Sequence, residues 1–267
     1  MKLSCLFLAV GVCASLVIPA PAQNPPDKAR QVIDAAVAAL GGDRFLNMQS
    51  RVASGRIYGF FHDQMSGEDV AKVYVEYLPA ANGSGLRVRE RELLGKKLDY
   101  SYLYLSDQGW DVTFRGARPI SDEQWERYSR STENDVLYIL RTRLKEPGMQ
   151  FDYIGSDVYL SRHVEVVDIT DAKERTIRVY FDFNTKLPLR ETYQWLDPVT
   201  RAHDDAETDY DKYRDAGGGV MWPFTIELHR NGYKAFQMFA DKVEVNPPLP
   251  KGIFDLPSGV KVLKKEN

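Results

Sequence analysis

Four histidines, His62, His163, His203 and His229, are the first place to look for chemistry, and no two of them share the spacing of a helical metal site. H-x-x-x-H and H-E-x-x-H pairs, the G-x-S-x-G elbow and the G-x-G-x-x-G phosphate loop are all missing from the sequence. The densest run of oxygen ligands is His203-Asp204-Asp205, followed by Glu207, Asp209 and Asp211. Crowded carboxylates can hold Ca²⁺. Here the spacing and central glycine of an EF-hand are lacking, and strand alternation sends Asp209 and Asp211 to one polar face. Glu123 and Glu126 lie three apart on a predicted helix and share a side of it. Glycosidase carboxylates must flank a cleft, and nothing in the sequence marks one. His62-Asp63 with Glu68-Asp69 reads as a polar hairpin tip, and Asn82-Gly83-Ser84 matches a glycosylation sequon that also serves as a turn. No catalytic residue, metal ligand or cofactor site is assigned, and the expectation is a protein that is not an enzyme.

The unusual pattern is apolar. Leu98, Tyr100, Tyr102 and Tyr104 fall on one face of a strand, with Leu103 and Leu105 on the other. A strand apolar on both faces is covered twice, by core or by ligand. Tyrosine, with an apolar ring and a polar tip, suits a wall that is partly wet. A lipid site would be concave, mostly apolar and poor in polar motifs.

The elements that would position such a wall follow from periodicity. Ile33, Ala36, Val37 and Leu40 repeat at helical spacing behind a candidate cap at Asp27, and Gly41-Gly42 ends the run. From Arg51 the period becomes two, with interior glycines at Gly55 and Gly59 that suggest a bend or a close backbone approach. Strands follow in hairpin order to Phe114. Ser121 and Gln124 then fit a capping box, and Trp125, Tyr128, Leu137, Leu140 and Leu144 make a helical stripe before Pro147-Gly148. Strands resume at Arg162 and run to Val245, with Asn231-Gly232 as the clearest hairpin turn. About 10–11 antiparallel strands are too many for a flat sheet, which must curl or be covered. The predicted helices from Ser121 to Leu144 are expected to lie across its concave face.

The amino-terminal residues set the expected compartment. Lys2, the apolar run Leu3–Ile18 and the small residues Ala20 and Ala22 have the order of a secretory signal peptide. Residues 1–22 are therefore expected to be removed, with the mature chain starting near Gln23. Both cysteines, Cys5 and Cys13, lie in that segment, so the mature chain would carry no thiol. Val12 before Cys13 does not fit a lipid-attachment signal. Removal takes the net charge from −3 to −4 as Lys2 leaves, which argues against nucleic acid as a partner.

Several short motifs carry a resemblance to a known family. They are Ala35-Ala36-Val37-Ala38-Ala39-Leu40-Gly41-Gly42, Ser54-Gly55, Gly109-Trp110, Tyr180-Phe181-Asp182 with Leu187-Pro188, and Asp209-Tyr210 with Tyr213. Gly219-Val220-Met221-Trp222-Pro223-Phe224, Asn246 and Phe254-Asp255-Leu256-Pro257 complete them. Together they resemble the outer-membrane lipoprotein carriers LolA and LolB. That resemblance implies an α+β fold: an open, incomplete antiparallel β-barrel with helices covering the concave face and acyl chains held between them. It implies one domain over residues 23–267, a periplasmic location, and lipid or lipoprotein acyl chains as partners, with membrane-bound donor or acceptor proteins beside them. The expected cavity walls are Tyr100, Tyr102, Tyr104, Trp110, Phe114, Trp125 and Leu137. Two other readings stay open: an envelope interaction module without ligand, and a hydrolase or metal-dependent enzyme.

Overall fold

A computed structural model describes residues 25–79, 85–197 and 200–265. The expected signal peptide, its cleavage point, both cysteines and the Asn82-Gly83-Ser84 turn lie outside these residues.

The amino-terminal helix α1 (Pro25–Leu40) begins two residues ahead of Asp27. Its stripe of Ile33, Ala36, Val37 and Leu40 is buried, together with Ala29 and Val32. Gly41 and Gly42 end it with positive φ angles, and the Gly42 amide donates to the Val37 carbonyl at 2.9 Å. A single turn, α2 (Asp43–Leu46), leads to the sheet and buries Phe45.

Six strands then run as a meander: β1 (Ser50–Phe61), β2 (Gln64–Tyr77), β3 (Val88–Leu94), β4 (Tyr100–Tyr104), β5 (Gly109–Thr113) and β6 (Gly116–Pro119). After a helical segment come seven more: β7 (Gln150–Tyr159), β8 (Arg162–Thr170), β9 (Thr176–Asp182), β10 (Pro188–Leu196), β11 (His203–Asp215), β12 (Met221–Arg230) and β13 (Tyr233–Val245). The described strands form one 13-stranded sheet in the order β6-β5-β4-β3-β2-β1-β13-β12-β11-β10-β9-β8-β7. The two meanders are joined where β1 pairs with β13. At the β12–β13 hairpin both Asn231 (φ 50) and Gly232 (φ 77) take the positive angles such a turn demands.

This order dictates where the helices go. β6 and β7 are consecutive in the chain but lie at opposite edges of the sheet, so the residues between them must cross its whole width. They do so as α3 (Asp122–Asn134), α4 (Val136–Tyr138) and a π-helical turn, Ile139–Arg143. α3 starts with the expected capping box: the Gln124 amide donates to the Ser121 hydroxyl, and the Gln124 side chain accepts from the Ser121 amide. It stops at Asp135, whose carboxylate instead caps α4 by accepting from the Tyr138 amide at 2.6 Å. Leu137 and Leu140 on this crossover join α1 and the inner residues Ile169, Ile177, Val179, Phe181 and Tyr210 in the main core.

The open sheet with helices over its concave face agrees with the expected architecture, and the strand count is corrected from about 10–11 to thirteen. The two additional strands are the edges. β6 has four residues and ends on a proline, and β7 carries a bulge at Gly155 (φ 141) that breaks the period of two. The chain's last residues return to cover the β6 edge: the Ala117 amide donates to Lys261 and the Leu263 amide to Ala117.

Candidate functional site: an apolar cavity holding two glutamates

Alternation fixes which side chains of β1–β3 face the helices. Ile57 of β1, Ala71, Val73, Val75 and Tyr77 of β2, and Val88 and Leu94 of β3 point inward, as do Ile226 of β12 and Phe236 and Met238 of β13. Tyr128, Ser131, Thr132, Asp135 and Tyr138 close the space from the crossover. Between them lies a cavity of about 310 Å³, at the small end of the range for ligand pockets.

The charged groups in this space are few and mostly acidic. Glu90 and Glu92 project into it from successive inward positions of β3, and Arg51 enters from β1. Burial raises the carboxyls of both glutamates, and Glu92 goes well above its ordinary value, with the nearby Glu90 charge adding to burial. Arg51 stacks over the Trp222 ring at 4.5 Å. Deeper in, Glu191 is 2% exposed and accepts from the Val136 amide at 2.6 Å, so Asp135 and Glu191 both serve the amino end of α4.

A sign follows for stability. Glu92 titrates above the ordinary 4.5 in the fold, so the folded chain holds the proton more tightly than the unfolded chain. The associated stability is present at and below pH 4.5 and is lost as pH rises through the shifted value. Glu92→Gln has about the same shape and cannot ionise. Its melting temperature should match wild type near pH 4.5 and exceed it by about 3 °C at pH 8. A variant equal to wild type at pH 8, or less stable, would show that Glu92 carries no such penalty.

The expected wall residues fall in several places. Tyr100, Tyr102 and Tyr104 face the concave side, opposite Leu94, Glu92 and Glu90. Tyr102 and Tyr104 stack with centroids 6.1 Å apart, and Tyr104 lies flat on Tyr128 at 3.7 Å, carrying the tyrosine wall onto the crossover. The Tyr100 hydroxyl donates to Asp69, and burial together with that bond pushes it up to about 12. Trp125 packs beside Tyr128, against the cluster of Val75, Leu86, Val88 and Tyr138. The other three lie away from this tyrosine wall, and none of the seven expected residues is among those that line the cavity itself. Trp110 lies on the convex face with Leu103 and Phe254, beneath the carboxy-terminal segment. Phe114 sits at the β5–β6 tip, 92% exposed. Leu137 belongs to the main core.

The acidic run of β11 is dispersed by the same alternation. Glu207 pairs with Arg190, Asp209 accepts from Tyr159 at 2.7 Å, and Asp204 accepts from Asn231. Among the described residues no group of three or more His, Cys, Asp or Glu side chains is placed to hold a metal ion. No helix among them is long and apolar enough to cross a membrane.

Glu90, Glu92, Asp135 and Arg51 were not expected at the site. A signal was present: in Leu86-Arg87-Val88-Arg89-Glu90-Arg91-Glu92-Leu93-Leu94 the glutamates are in phase with Val88 and Leu94, an inward face.

No protein-family model matches the chain, and no curated protein matches it by sequence. Solved structures do. A domain named for outer-membrane lipoprotein sorting, from Vibrio parahaemolyticus, superposes with a TM-score of 0.56 at 11% identity, covering 85% of this chain and 97% of that one. A DUF1329 family protein from Desulfovibrio piger gives 0.58 at 12% identity, covering 87% and 98%. A LolA superfamily protein from Nitrosomonas europaea superposes less closely, at 0.48 and 12% identity, covering 85% and 96%. At these identities the likeness is one of fold: this chain shares the fold of the Vibrio and Desulfovibrio proteins, here an open antiparallel sheet crossed on its concave face by helices.

Proposed function

We propose that this chain is a periplasmic, non-enzymatic carrier or sensor that shelters the apolar chain of a lipid or lipoprotein between its crossover helices and its sheet. A single domain following a cleaved leader is part of the same reading. The observation that carries it is the cavity bounded by Ile57, Val73, Val75, Ile226, Phe236 and Met238. A barrel filled by its own side chains would favour a protein-interaction module; an apolar space favours a ligand. The fold it shares with a lipoprotein-sorting domain supports the reading. The energetics suit transfer. Burying an acyl chain gains about 0.8 kcal/mol per methylene, so ~15 methylenes gain roughly 12 kcal/mol over water, about what a membrane offers. A carrier must match that figure without greatly exceeding it.

Val73 is a half-buried residue on the cavity wall. Val73→Trp should fill the space, abolish uptake of a neutral environment-sensitive fluorophore, and leave the melting temperature within a few degrees of wild type. Full uptake by a folded Val73→Trp protein would place the binding elsewhere, and a wild-type protein that takes up no probe would contradict the carrier reading.

A further inference from the structure

The charges lining the cavity do not balance. Three carboxylates, Glu90, Glu92 and Asp135, face a single guanidinium, Arg51. Asp135 already caps α4, and Arg51 acts on Glu90 and Asp135 while stacked on Trp222. Glu90 and Glu92 have no ion-pair partner among the described residues. Carboxylates placed side by side in an apolar space are costly unless paired, and a protein with only packing to satisfy would put valine or leucine there, as at Val88 and Leu94 on the same face. A second, independent group points to the same place. The Tyr128 hydroxyl, on the opposite wall, is buried and makes no hydrogen bond of normal geometry, with the Thr132 hydroxyl its polar neighbour.

We propose that the polar end of this cavity receives a protonated amine, so that the bound molecule is an amphiphile with a cationic head and an apolar chain. An ammonium carries three N–H donors and no acceptor. Two glutamate carboxylates and one phenol oxygen on the walls of one cavity supply acceptors for it, while the apolar wall takes the chain. A carboxylate or phosphate head would instead meet Glu90 and Glu92 as like charges. This rests on the carrier reading and specifies its ligand.

The test is a head-group series at constant chain length. Dodecylamine, dodecanol and dodecanoate are each used to displace a neutral fluorophore from the wild-type protein. Dodecylamine should displace it at about tenfold lower concentration than dodecanol, since the ammonium brings a positive charge to the carboxylates as well as hydrogen bonds and the alcohol brings none. Dodecanoate should be the weakest. In the double variant Glu90→Gln/Glu92→Gln, dodecylamine and dodecanol should converge to within about twofold. If dodecanol or dodecanoate binds wild type as tightly as dodecylamine, the head-group assignment is overturned and the carrier reading survives. If none of the three displaces the probe, both fall. The wild-type series decides the question even if the double variant fails to fold.

Discussion

Replacing Asp171 with alanine should lower the melting temperature by roughly 6–12 °C, the equivalent of about 3 kcal/mol in a chain of this size. Asp171 sits in the β8–β9 turn and is 7% exposed. Its carboxylate accepts from Arg143 at 3.0 Å and from Arg175 at 2.9 Å, and also from the Lys173 and Arg175 amides. Arg143 donates further to the Glu133 carbonyl and to Glu146, each at 2.8 Å, and Arg175 reaches the Glu133 carboxylate. One network therefore ties the end of α3, the π-helical turn and the sheet together. Removing Asp171 leaves Arg143, itself buried, without its partner on the sheet. Such losses cost about 3–5 kcal/mol, and the lower figure applies because Arg175 is 31% exposed. Burial alone would raise the Asp171 carboxyl, but the hydrogen bonds from Arg175 and Arg143 outweigh it and hold the group below the ordinary 3.8. Its contribution is thus complete above pH 3.8 and is lost as pH falls through the lowered value. The gap between wild type and Asp171→Ala should narrow in strong acid. A melting temperature changed by less than about 2 °C at pH 7 would show that the crossover does not depend on this anchor.

Gly55→Ala should be comparably damaging, at about 3 kcal/mol. β1 changes register against β13 between Ser54 and Gly55, and the backbones approach closely there. An added Cβ would overlap the Phe239 carbonyl oxygen and lie 2.7 Å from the Ala240 Cα, and backbone cannot rotate aside. This is the pairing that joins the two meanders, and both strands contribute to the cavity through Ile57, Phe236 and Met238. Probe uptake should fall along with stability. Gly59, four residues on, is the control. There the nearest atom to an added Cβ is the Ser66 hydroxyl at 3.3 Å, which can turn away, so Gly59→Ala should stay within about 0.5 kcal/mol of wild type. Equal losses at the two positions, read by thermal melts, would contradict the close-approach account.

The contrast between these glycines shows what a sequence can and cannot express. Both interrupt an alternating strand, and both suggested a bend or a close approach, but only the β13 backbone distinguishes them. Features set by neighbours in the chain were legible: the α1 stripe, the Ser121–Gln124 box and the Asn231-Gly232 turn each depend on a few consecutive residues. The crossover was legible too, since a helical segment between two runs of hairpins has to pack on a sheet somewhere. The edge strands were not. β6 is short and β7 is bulged, and both owe their place to partners distant in the chain. At the site, tyrosines at alternate positions revealed a covered face without telling which residues border empty space and which border packed atoms. Trp110 looked like a wall residue because an aromatic beside a tyrosine strand does; the carboxy-terminal segment around Phe254 covers it on the other side. Glu90 and Glu92 were hidden by their arginine neighbours. Arg89 and Arg91 face the convex side, where Arg89 stacks over Phe254 and Arg91 donates to the Asp255 carbonyl. A strand with charged residues on both faces imitates a solvated one, although both of its faces are covered here.

Mass spectrometry of organic extracts from the natively purified protein tests the central claim most directly. An apolar-chain amphiphile that copurifies with wild type, and is depleted from Val73→Trp, is the result expected of a cavity that shelters such a chain. Extracts free of lipid, from a folded wild-type protein that also takes up no neutral probe, would contradict it.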